Sequence, residues 1–487
     1  MGRLAAFIGC CLALNASAAE PELREQAETA LRRGVAFFRT RVAVHGTYLW
    51  QYSADLSQRE GEGVATATQG WVQPPGTPAV GLAFLSAWRA TSDAYYLQAA
   101  RETAHELVRG QLRYGGWTCV IDFSPEGRRQ TAYRDGGGRT GRNVTTLDDD
   151  TTQCALRFLM QTDQALGFED ATLRESIEYA LNSLLQAQYP NGAWPQGFER
   201  PPDPGKHPVK RADYPKSWPR TWPGNGQYWF RYTLNDNSLG TTVETLFECA
   251  RIYRDAKAGA GFHQLAPKCR AAAEKAGGFL LLSRMPEPQP GWAQQYDFDM
   301  HPAWARRFEP PSVTGGESQG ILRALLSLYC ETSDRKYLEP VPHALDYFRR
   351  SRLPDGRLAR FYELRSNRPL YFTKDYLLTY QDNELPTHYA FKVGDWTEAV
   401  AREYERVQGP SAVELESAAT NHSAKVTPTL VAKVKSIIAA QDAHGRWVEG
   451  GGLRYHQLED PTVRVINCAT FKRNVEVLSR YLAGAGR

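Results

Sequence analysis

Three aspartates in a row, Asp148-Asp149-Asp150, stand immediately before an apolar-periodic stretch that begins at Thr151. One carboxylate there suits a helix start, because it accepts from free N–H groups and complements the helix dipole. Three are more than capping explains, since packed like charges raise one another's pKa unless a cation or a proton intervenes. Hard oxygen donors of this kind suit calcium or magnesium, or a general acid/base pair. Asn235-Asp236-Asn237 holds the same place before the next helical pattern. Turn chemistry is the plain alternative there, but two equivalent acidic helix starts would face one cleft. A second group is basic: Arg306, Arg307, Arg360, Arg368 and Lys374 stand in turns among aromatics rather than along polar helix faces. Arginine grips a planar carboxylate with two hydrogen bonds, and loops commonly carry site residues, so carboxylate binding is the expected role. A third group is the proline-rich stretch from Gly197 to Tyr232, where Trp218 and Trp222 alternate with lysines and arginines. Aromatic faces beside cations suit an acidic sugar chain; alternatively, the tryptophans pin the stretch to the body.

Other chemistries find little support. Gly136 to Gly141 fits G-x-G-x-x-G, but no strand is expected before it and no helix on its glycines, so nucleotide binding is discarded. There is no H-E-x-x-H, Walker sequence or G-x-S-x-G elbow.

The elements that must position these residues are mostly helices. Helical spacing predicts pairs over 80–89 and 93–110, 151–166 and 172–188, 238–255 and 265–283, and 318–331 and 336–350, while strand-like alternation is scarce. Between them recurs a turn, Q-x-x-x-G-x-W, at Gln111–Trp117, Gln188–Trp194 and Gln441–Trp447, with looser copies near Gly46–Trp50, Pro290–Gln294 and Leu353–Arg357. A single hairpin cannot bury its apolar stripe, so successive pairs should stack around a common axis. The expected fold is all-α, an α/α toroid or incomplete α/α barrel whose helix ends and turns line a cleft. At about 150 residues per domain, 487 residues would suggest roughly three domains. The repeat reduces these to one, spanning 20–487.

Residues 1–19 read as an export signal: Arg3, an apolar run from Leu4 to Leu14 too short to span a bilayer, and the small-residue site Ala16-Ser17-Ala18. A secreted or periplasmic protein is expected, with no membrane partner. Net charge is +4, too mild for a nucleic-acid binder. Six cysteines follow the leader without C-x-x-C spacing, which argues against zinc. Cys154, Cys249 and Cys330 lie in apolar helical stretches and are expected as buried free thiols.

Taken in order, several segments resemble the pectate lyases of polysaccharide lyase family 10. They are Thr146–Gln153 with Arg157-Phe-Leu159, Gln188–Gln196, Tyr232–Asn237, Trp292-Ala-Gln294, Ala305-Arg306 with Phe308–Ser312, Gly315–Gly320, Ala359–Glu363 and Asn367-Arg-Pro369. The likeness covers about 146–375. It implies an α/α toroid that cleaves polygalacturonate, or a related acidic polysaccharide, by calcium-assisted β-elimination, and a monomer is expected. By motif, Asp236 would ligate calcium with Asp148 and Asp149 beside it. Arg306 would take the proton at C5, and Arg360 would bind the substrate carboxylate. Arg307, Arg368, Lys374, Trp218 and Trp222 are further candidates for substrate contact. The chain departs from the family in having Asp148-Asp149 where Asp-Asn is usual, and Lys374 where an arginine is expected. An inverting glycoside hydrolase using Asp148, Asp236, Glu309 and Glu317, and a non-catalytic binder of acidic glycans, are the alternatives. An isoprenoid cyclase is disfavoured, because Thr146 occupies the place of its first aspartate.

Overall fold

A computed structural model describes residues 6–224, 226–409, 426–458 and 463–485. The leader assigned to residues 1–19 lies outside the residues whose side chains are described. The helices, in chain order, are α1 (Ala6–Phe37), α2 (Thr77–Thr91), α3 (Ala94–Arg109), the short α4 (Pro125–Gln130), α5 (Thr151–Ala165), α6 (Ala171–Gln186), α7 (Ser238–Ile252), α8 (Ala260–Leu282), α9 (Gly315–Thr332), α10 (Pro340–Arg350), α11 (Thr397–Gln408), α12 (Pro428–Ala439) and α13 (Cys468–Gly484). The eight helices expected from periodicity all form, within a few residues of the expected bounds.

They build an α/α toroid in two layers. Burial separates the layers: α5 and α7 each bury 11 of 15 residues, whereas α3 and α6 each bury 6 of 16. The inner layer runs α13, α2, α5, α7, α9, α11, each packed on the next, and the outer helices α3, α6 and α8 follow the same course outside it. The ends of the chain meet. Helix α13 packs between α1 and α2, with Phe471 stacked on Phe38 at 3.6 Å, so the first and last helices make one inner–outer pair.

Short strands precede the inner helices: Gln69–Trp71 before α2, Thr145–Thr146 before α5, Tyr232–Thr233 before α7, Ser312–Thr314 before α9 and Arg464–Asn467 before α13. Each pairs antiparallel with a strand that follows an outer helix. These strands of two to four residues are too short to register as alternation, so the sequence does not announce them. They bring all the inner-helix starts to one end of the ring.

The Q-x-x-x-G-x-W turn is the joint of this repeat. The indole N–H of Trp117, Trp194 and Trp447 donates to the carbonyls of Leu107, Leu184 and Ile437 at 2.8–2.9 Å, near the end of the outer helix, where carbonyls lack their full set of helical partners. The glutamine amide bonds twice. Gln111 Nε2 reaches Gly115 O and Ser176 O, Gln188 Nε2 reaches Gly192 O and Ala272 O, and Gln441 Nε2 reaches Gly445 O and Ala30 O. The second bond in each case crosses to the next outer helix. The turn glycines adopt φ of +103°, +98° and +83°, which side chains resist. Each turn also accepts from the next unit's strand: the N–H of Trp71 donates to Tyr48 O, that of Thr146 to Trp117 O, that of Thr233 to Trp194 O and that of Thr314 to Trp292 O.

The thiols agree with the sequence in part. None of the six cysteines after the leader forms a disulfide, and Cys154 and Cys249 are buried, but Cys330 is exposed, in the last turn of α9.

Candidate active site

The starts of α5 and α7 are built alike and unlike the other inner-helix starts. Asp149 and Asp150 adopt left-handed φ/ψ of 46°/39° and 61°/23°; Asp236 and Asn237 adopt 49°/32° and 56°/21°. Two left-handed residues in succession are tolerable for Asp and Asn and strained for most others. The two turns superpose in register, Leu147 on Leu234, Asp149 on Asp236 and Asp150 on Asn237, with Leu147 N–H bonded to Gln196 O and Leu234 N–H to Gln294 O, both at 2.8 Å. Neither turn caps its helix through a side chain. Asp150 instead pairs with Arg157, about two helical turns along. The capping explanation therefore fails for all three aspartates.

The backbone turn aims Asp148, Asp149 and Asp236 at one another. One carboxylate oxygen from each lies within 4.8 Å of the others. Asp148 Oδ1 is buried with no hydrogen-bond partner, as is Asn235 Oδ1 beside it. Asp149 Oδ2 accepts from Gln73 Nε2 at 2.7 Å. The crowding is felt in the acidities. Lost hydration, then Asp148 and Glu62, push Asp149 up to about 6. Asp236 keeps contact with solvent on the cleft floor, yet lost hydration, then Asp149, Asp148 and Glu317, push it up to about 8. Arg306 opposes both shifts, which places its charge at the same cleft.

Arg306 stands in the loop between strand Gln295–Tyr296 and strand Ser312–Thr314. Its guanidinium grips Glu309 with two bonds, Nε to Oε2 at 2.8 Å and Nη2 to Oε1 at 2.6 Å, while its backbone N–H adds a third. Glu309 is only 2% exposed and accepts further from Gln294 and Tyr389. The fork raises the Arg306 pKa despite burial and lowers that of Glu309, so the resting pair is ionised. Arg360 binds Glu317 Oε1 at 3.1 Å, Tyr389 Oη at 2.9 Å and Ala390 O at 2.8 Å. Tyr389 thus joins the two arginines: its hydroxyl accepts from Arg360 and donates to Glu309, and both guanidiniums lie against its ring, at 4.4 Å and 5.5 Å.

The remaining candidates sit farther out. Arg307 stacks on Tyr376 at 3.6 Å and Arg368 on Tyr380 at 3.5 Å, both exposed, and Lys374 is exposed on the same rim. Trp218 and Trp222 pack half-buried on a cluster of Trp304, Phe361, Leu370, Tyr371, Phe372 and Phe391. The Trp222 indole donates to Ala305 O, Trp304 donates to Pro219 O, and Arg231 donates to Trp304 O, each at 2.8 Å. The long stretch therefore straps the Arg306 loop in place, and the pinning role is what its tryptophans show. Its last turn adds Tyr228, whose phenol feels the charges of Arg306, Glu309, Asp148 and Asp236. Tyr228 is one of the aromatics of the proline-rich stretch, whereas Tyr389 carries no signal in the sequence, because its partners are 29 to 80 residues away.

Residues 111–358 match the family model of pectic acid lyase. The chain belongs to the pectic acid lyase family. The matched span holds Asp148, Asp149, Asp236, Arg306 and Glu309, while Arg360, Tyr389 and Trp396 of this pectic acid lyase family member lie beyond it. None of the curated proteins matches the chain. Among solved structures, a mutant family 10 polysaccharide lyase from Cellvibrio cellulosa in complex with trigalacturonic acid is similar at 20% identity and a TM-score of 0.46, over 68% of this chain and 99% of that one. A D-mannose isomerase is similar at 13% identity and a TM-score of 0.46, over 94% and 97% of the two chains. A cellobiose 2-epimerase from Spirochaeta thermophila is similar at 13% identity and 0.45, over 81% and 83%. No helix among the described residues is long and apolar enough to cross a membrane.

Proposed function

We propose that the protein is an exported, monomeric lyase that cleaves an acidic polysaccharide of the polygalacturonate type by calcium-assisted β-elimination. The observation that carries this reading is the opposition of charges across one cleft: three carboxylates from two equivalent helix starts on one side, and Arg306 and Arg360 on the other. The donor set fits calcium, being all oxygen, closely grouped, and left with a buried carboxylate oxygen that nothing else satisfies. Asp148, Asp149 and Asp236 would hold the ion, which when bound would neutralise the uronate carboxylate beside the reacting carbon.

Elimination removes the proton at C5, whose electron pair forms the C4=C5 double bond as the C4–O bond breaks; the departing sugar's oxygen leaves with that bond's electrons and takes a proton from water to become a hydroxyl. Charge developing at C5 lies next to an existing carboxylate, so the site must supply positive charge there in advance. Arg360, held by Glu317 and Tyr389, would pair with that carboxylate. Arg306 is the proposed proton acceptor. Its fork with Glu309 keeps it protonated at neutral pH, so the fraction able to accept a proton grows only as pH rises, and activity is expected to climb into the alkaline range.

The test is incubation with polygalacturonate, other uronate polymers and neutral glycans, with calcium or a chelator, across neutral and alkaline pH. Unsaturated product absorbing in the near ultraviolet is expected from a uronate polymer in the presence of calcium, and Arg306→Ala should lose about a thousandfold in kcat. Absence of that absorbance with every uronate polymer would overturn the reading.

A further inference from the structure

Beside the acidic turn of α7 a cavity of about 640 Å³ opens into the ring between α7, α9 and the start of α11. Its walls carry Glu244 from α7, Glu317 and Arg323 from α9, Arg360, and Trp396 and Glu403 from α11 and its lead-in. Asp236 forms the edge it shares with the catalytic cleft. Trp396 is 54% exposed, unusual for so large an apolar side chain. It is nevertheless fixed: its backbone N–H donates to Gln319 Oε1, and the Arg323 guanidinium lies over its ring at 5.3 Å.

The charges of the cavity decide what it can take. Four carboxylates face it, from Asp236, Glu244, Glu317 and Glu403, against two guanidiniums. Both guanidiniums already face a carboxylate, Arg323 with Glu403 at 4.0 Å and Arg360 with Glu317 at 3.1 Å. A second uronate entering here, with Arg360 taken by the first, would bring its anion among Glu244, Glu317 and Glu403 with Arg323 as the one cation of the lining left to face it, and Arg323 already stands near Glu403. An uncharged pyranose meets none of this opposition. Its hydroxyls donate to carboxylates, and its C–H face suits an exposed indole. Glu317 supplies a waiting acceptor: its side chain is 5% exposed, and Oε2 is buried without a hydrogen-bond partner.

We propose that this cavity is a subsite for a neutral pyranose residue, with Trp396 as its stacking platform and Glu317, Glu244 and Glu403 as acceptors for its hydroxyls. The substrate is then a mixed chain, in which the uronate cleaved at the arginines carries a neutral sugar as neighbour or branch. The placing of that uronate rests on the lyase reading; the subsite itself is measurable without cleavage.

Titration calorimetry on the full chain with xylobiose, mannobiose, galactobiose and digalacturonate tests it. At least one neutral disaccharide should bind, lose about tenfold or more in affinity in Trp396→Ala, and recover most of it in Trp396→Tyr, which keeps an aromatic face. Lack of saturable binding by any neutral probe up to about 50 mM would overturn the subsite. So would digalacturonate showing the strongest dependence on Trp396, since the cavity would then accept an anion. Neutral binding that depends on Trp396, in a protein that forms no unsaturated product from any uronate polymer, would support the subsite while removing the lyase reading.

Discussion

The Arg306–Glu309 fork makes the proposed base and its protonation inseparable. A guanidinium held by two bonds to a buried carboxylate has its pKa moved away from the range a base needs. Replacing Glu309 with Gln keeps the shape and one acceptor but removes the charge. If Arg306 accepts the proton, Glu309→Gln should shift the alkaline limb of the pH–rate profile to lower pH by about one unit, even if kcat falls. An unshifted profile with a lower plateau would mean that Arg306 works as a fixed cation. The aspartates give a second residue-scale prediction through linkage. Asp149 at about 6 and Asp236 at about 8 both lie above the ordinary carboxylate value of 3.8. Groups raised on folding contribute stability that is complete below the unfolded pKa and is lost as pH rises through the folded one. The calcium-free protein should therefore lose stability between about pH 4 and pH 8, and calcium should restore it most where both groups are ionised. The rise in Tm on adding calcium should be several degrees at pH 8 and slight at pH 5, read by calorimetry. A rise equal at both pH values would count against these aspartates as the ligands.

At the scale of elements, the toroid is a repeat stitched by its turns, and the stitches give a prediction independent of catalysis. Gly192 adopts φ +98°, and a Cβ there would stand 2.2 Å from Lys275 O on α8. Gly192→Ala should cost about 2–4 kcal/mol from backbone strain and displacement of that helix, whereas Gly167→Ala, at φ +69° with nothing within 4 Å, should cost about 1 kcal/mol. Urea midpoints of the two variants compare them directly; equal losses would show that the contact with α8 is immaterial. The same elements show what could be read from sequence. Eight helix spans and the Q-x-x-x-G-x-W joint were legible, because apolar periodicity and a glycine–tryptophan turn are local signals. Asp148, Asp149 and Asp236 were legible because their surplus charge stands at helix starts. Tyr389 was not, and neither was the partner of the Trp222 strap, since each acquires its meaning from a residue 29 to 83 positions away that only the folded chain brings near. The strands were missed for a third reason: two or three residues cannot show a period of two.

Across the whole molecule, the toroid depends on its first and last helices finding each other, and this sets how the site should fail. Helix α13 lies between α1 and α2, buries Phe471, Val475, Leu478 and Leu482, and stacks Phe471 on Phe38 with Phe84 edge-on at 6.0 Å. Phe471 is two helices away from the first acidic turn in the order of inner helices, with α2 between α13 and α5. Truncating it leaves a cavity at the join, and a loss of about 3–5 kcal/mol is expected for Phe471→Ala. Stacked repeats with open ends can fray one pair at a time, because each unit touches only its neighbours. A ring whose last helix packs against its first pair has less freedom to do so. The hydrogen bonds that join each turn to the next strand run through the Thr146 and Thr233 strands leading to both acidic turns. If closure couples the ring, Phe471→Ala should lower the urea midpoint seen by far-ultraviolet circular dichroism and the midpoint for loss of calcium binding by the same amount, in one transition. Separate midpoints, with calcium binding outlasting the α13 join, would show that the α5–α7 pair holds its carboxylates together without that join.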